Sequence, residues 1–71
     1  MKEYAVIYEK GEINWGAMIP DLPGCVSIGD TLEEVRQNIK EAIELYIEVL
    51  KERGEPIPEP RHTIGTVTIA A

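Results

Sequence analysis

PDLPGCVSIGDTLEE, residues 20–34, is the stretch whose reading decides the fold. Pro20 and Pro23 lack a backbone donor and fix φ, and Gly24 permits positive φ, so Pro20–Gly24 is expected to turn. Cys25-Val26-Ser27-Ile28 is a short apolar piece suited to a strand. Gly29-Asp30 forms a second joint. Thr31 followed three residues later by Glu34 is a capping box, with Asp30 as the alternative N-cap, so a helix begins there. The stretch therefore reads turn, strand, sharp turn, helix start.

Working outward towards the amino terminus, Gly24–Ile28 is strand three. Ile13, Trp15, Ala17 and Ile19 alternate with Asn14, Gly16 and Met18, and this period of two predicts strand two with the first set on one face. Glu9–Glu12 reads as a hairpin loop, and Tyr4–Tyr8 as strand one. In the other direction a helix is expected from Thr31 to about Arg53, with apolar residues at 32, 35, 39, 42, 43, 46 and 50. Gly54 suits its C′ position, and Pro56 forbids continuation. Glu55–Pro60 places proline at every second position and should be extended and stiff. Thr63–Ile69 alternates and reads as strand four. A right-handed crossover puts it beside strand one. The expected fold is α+β, ordered β-β-β-α-β: one domain over residues 1–71, with a four-stranded sheet of order 3-2-1-4 and one long helix on one face.

The ordered combination PDLPGC, GDTLEE and the helical Asn38-Ile39-Lys40-Glu41-Ala42-Ile43 resembles the HicB-like antitoxin family, over roughly Tyr4 to Leu50. The resemblance implies a partial ribonuclease-H-like fold and no chemistry of its own. It also implies a partner: HicA, a small basic toxin that cleaves messenger RNA, has a double-stranded-RNA-binding-like fold, and has its active-site histidine covered by the antitoxin. Many family members add a carboxy-terminal DNA-binding segment. Only the proline arm and strand four follow Leu50 here, so no direct nucleic-acid binding is expected.

Composition agrees. Thirteen acidic against seven basic residues give a net charge of −6 in 71 residues, which opposes contact with phosphate backbones and suits a basic protein partner. Cys25 is the only cysteine, so no disulfide within the chain is available, and a reducing, cytoplasmic setting is expected. Nothing from Met1 onward reads as a targeting or membrane segment. A domain this small buries only about 60% of its unfolded surface, and the predicted sheet has two open edges, so a homodimer is expected.

Candidate chemistry is sparse. Asp21, Asp30 and Glu34 could be imagined as the carboxylates of a small nuclease, but capping and turn formation account for them. Cys25 and His62 could be nucleophile and base, but no orienting group is evident, and a buried thiol is the usual state of such a cysteine. No catalytic residue, cofactor or metal is expected. Asp21, Leu22 and Pro23 are the candidate partner contacts, held out between rigid prolines; alternatively Leu22 plugs the end of the sheet. The rival readings are a stand-alone regulatory or structural homodimer and, from another class, the carboxylate-dependent nuclease.

Overall fold

The computed structural model describes residues 2–71; Met1, where the expected absence of a targeting signal begins, lies outside them. Three strands, β1 (Ile7–Lys10), β2 (Trp15–Met18) and β3 (Val26–Gly29), precede one helix, α1 (Leu32–Glu52). The strands form an antiparallel sheet in the order β1-β2-β3. Short connections dictate this meander, because a few residues can only return a strand beside its predecessor.

The expected four-stranded sheet of order 3-2-1-4 is not what forms. Thr63–Ile69 pairs with no strand, and residues 61–71 are exposed throughout. Its alternating β-branched sequence is a property of the segment alone, whereas strand formation also depends on the path along which the preceding arm delivers it. The first three strands are present but shifted from their sequence bounds. β1 starts at Ile7 rather than Tyr4, since its register with β2 ends at Ile7 opposite Met18, and Pro20 a little further on has no N–H to offer a ladder.

The pleat sorts the side chains. Ala17 and Ile19 are buried beneath the helix with Trp15 partly so, but Ile13 stands 88% exposed in the first hairpin loop and does not join that face. Val35 and Ile39 meet them from α1, flanked by Leu32, Ala42, Ile43, Tyr46 and Ile47. Tyr4, Val6 and Tyr8 border the same core, and the Arg36 guanidinium lies 5.7 Å from the centre of the Tyr8 ring.

Both joints of the stretch 20–34 have clear local causes. Leu22 N–H donates to Ile19 O, Cys25 N–H to Leu22 O, and Ile19 N–H to Cys25 O. These bonds make two consecutive β-turns, with Pro20 and Pro23 each at the second position. Gly24, at the third position of the second turn, has φ +83°, which a side chain would resist. At the helix start, Thr31 is the N-cap: its Oγ1 accepts from Glu34 N–H at 3.0 Å. The helix ends in a Schellman motif, with Gly54 N–H bonded to Lys51 O and Glu55 N–H to Leu50 O. No helix among the described residues is long and apolar enough to cross a membrane.

Candidate functional site

The proline turn carries the three sequence-predicted contact residues, and the structure gives each a different position. Leu22 is 0% exposed and packs with Ile19, Cys25, Val35 and Ile39. Pro23 is exposed, and its carbonyl accepts from the Tyr46 hydroxyl at 2.9 Å, which ties the turn to the carboxy-terminal half of α1. Asp21 reaches away from the core to the chain segment that follows the helix. Its Oδ2 accepts from the backbone N–H groups of Arg61 (3.0 Å) and His62 (3.2 Å), and its Oδ1 lies 2.8 Å from His62 Nδ1.

This clamp joins residues some forty positions apart, so neither local pattern nor spacing could have revealed it. The Asp21 side chain is only 4% exposed, whereas that of His62 is 57% exposed. Burial pushes the Asp21 carboxyl up. The hydrogen bonds from Arg61 N–H, the His62 ring and His62 N–H, with the field of the imidazole, outweigh burial and hold it below its ordinary value. The clamp works with two neighbours: the Tyr4 hydroxyl donates to Pro58 O, and Lys2 pairs with Glu59. The proline arm is thereby fastened along the amino-terminal segment as far as His62.

The remaining candidate residues are not brought together. Cys25 is buried in the core, and burial pushes its thiol up, away from the nucleophilic form. His62 faces Asp21. Asp30 lies at the opposite end of the hairpin from Asp21, in the turn before the N-cap. Among the described residues no three of His, Cys, Asp and Glu gather as a metal site would require.

One surface escaped sequence reasoning. On the sheet face away from α1, Ile7, Met18 and Val26 stand side by side across the three strands, with Ile28 in the next row beside Gly16. All four apolar side chains are exposed, and they rim a shallow depression where Gly16 contributes no side chain. The signal was present in β3, whose Val26 and Ile28 are apolar although Cys25 already fills the inner face. A sheet with water on one side should alternate instead.

A family model described as HicB_like antitoxin of bacterial toxin-antitoxin system matches residues 4–69. The chain is 53% identical over 58 residues to the UPF0150 protein ssr1765 of Synechocystis, an alignment covering 79% of this chain and 72% of that protein. It is 47% identical over 70 residues to the UPF0150 protein Ta0767 of Thermoplasma acidophilum, covering 97% and 99%. Among solved structures it is similar to a chain of a HicA3 and HicB3 toxin-antitoxin complex, with a TM-score of 0.72 and 30% identity over 84% of this chain and 70% of that one.

Proposed function

The chain belongs to the HicB-like antitoxin family, and from that premise we propose that it is a non-enzymatic, cytoplasmic protein that sequesters a small, basic, HicA-like RNA-cleaving toxin. The observation that carries this reading is the likeness, in both fold and sequence, to a chain from a HicA3 and HicB3 complex. The net charge of −6 supports it, since opposite charge speeds encounter with a basic partner.

The contact is assigned to the Asp21–Leu22–Pro23 turn. Leu22 is its buried anchor, Asp21 fixes the arm beside it, and Pro23 is the part presented to the partner. The chain also pairs with a second copy of itself and makes no direct contact with nucleic acid. Co-expression with a HicA-like toxin tests the reading. Rescued growth and a complex on a sizing column at low salt are expected. Growth arrest that persists, with no complex formed, overturns it.

The open apolar face of Ile7, Met18, Val26 and Ile28 favours a second reading, a stand-alone regulatory homodimer. Self-association with no affinity for any HicA-like protein is its signature.

A further inference from the structure

Residues 63–71, Thr-Ile-Gly-Thr-Val-Thr-Ile-Ala-Ala, carry no charge and no proline. Every one of them is exposed, Val67 at 87%. An uncharged, β-branched segment with free backbone groups is a template for strand pairing, and native proteins protect such segments with charge, proline or cover. None of these protections is present among the described residues.

Two features aim the segment. Its root is clamped by Asp21 at Arg61 and His62 and stiffened by Pro56, Pro58 and Pro60, so it leaves the domain from a fixed point. His62, with Thr63 and Ile64 at the start of the segment, lies beside Glu3, Tyr4 and Ala5, at the β1 side of the sheet. There no strand among the described residues pairs with the outer edge of β1, and α1 lies over β2 and β3, leaving Tyr4, Val6 and Tyr8 only partly covered.

We propose that residues 63–69 of one chain add as a strand to the β1 edge of a second copy, and that the second copy returns the same strand. The exchange rests on the self-association named above and specifies its structure. Reciprocity follows from two-fold symmetry, because each copy has one free segment and one free β1 edge. Main-chain hydrogen bonds supply the pairing. Val67 and Ile69 share one face of the added strand and cover the thinly packed flank of β1. At about 3.3 Å per residue, seven residues reach roughly 23 Å, enough to run the length of a four-residue strand.

The test uses full-length chains. The wild type should weigh twice 7.9 kDa in an ultracentrifuge at micromolar concentration, and Val67→Pro, whose ring disfavours a regular strand at the middle of the segment, should weigh 7.9 kDa with unchanged helical circular dichroism. A wild type of 7.9 kDa sinks self-association and the exchange with it. A Val67→Pro chain that stays dimeric overturns the exchange alone and moves the interface to the open sheet face. Should Val67→Pro lose its helix, the double variant Val67→Glu/Ile69→Glu takes its place with the same two outcomes. Hydrogen exchange gives an independent reading. Amides of residues 63–69 should be protected in the dimer, and exchange at unstructured rates overturns the proposal. No toxin enters these measurements, so their result is independent of toxin binding.

Discussion

Asp21 and Leu22 are adjacent yet do opposite work. Leu22 fills the end of the core, and Leu22→Ala should destabilise the domain by about 2–5 kcal/mol in urea unfolding, the range for a buried leucine that leaves a cavity. Asp21 holds the arm. Its folded pKa lies below the ordinary 3.8, so its stabilisation is fully present above that value and is lost as pH falls through the folded one. The amide resonances of Arg61 and His62 should titrate with an apparent pKa under 3.8, and Asp21→Ala should free both amides at neutral pH. A titration at or above 3.8 counts against the clamp. The turn around these residues was legible in the sequence because proline and glycine act locally. The partner of Asp21 was not, because it is brought close only by the helix and the arm behind it.

At the scale of elements, β3 and α1 approach closely at their junction. A Cβ added to Gly29 would lie 2.7 Å from Val35 N and 3.0 Å from Val35 Cα, both backbone atoms of the first helical turn. Gly29→Ala should therefore push the helix off the strand and cost about 1–3 kcal/mol in thermal or urea unfolding. At the same joint the cap belongs to Thr31, whose hydroxyl receives the Glu34 N–H. Thr31→Ala should cost about 1 kcal/mol, and Asp30→Ala, in the turn before it, should stay within about 0.5 kcal/mol. Equal losses from the two would show that Asp30 shares the cap. The helix was readable almost to the residue, since cap, stripe and Schellman glycine all lie within it or next to its ends. Thr63–Ile69 shows the limit of such reading: a two-residue period states which side chains share a face, but not which edge, of which chain, the segment meets.

At the scale of the molecule, charge should govern encounter with a basic partner. Association with a HicA-like toxin should slow several-fold between low and physiological salt, as the Debye length shrinks from about 30 to about 8 Å. Salt-independent rates in stopped flow would remove steering from the account. The meander β1-β2-β3 followed directly by α1 bears on a different property, the path by which the domain assembles. Each element contacts the one just before it, so few long loops must close before stabilising contacts form. Collapse of the core should be fast, on the order of milliseconds or less. Trp15, the single tryptophan, sits in the middle strand and reports that event by its fluorescence. The arm has to span some forty residues to reach Asp21, so its docking should follow as a separate, later step. Seen by Trp15 emission and by His62 amide protection, refolding should give two different rates, the tryptophan first.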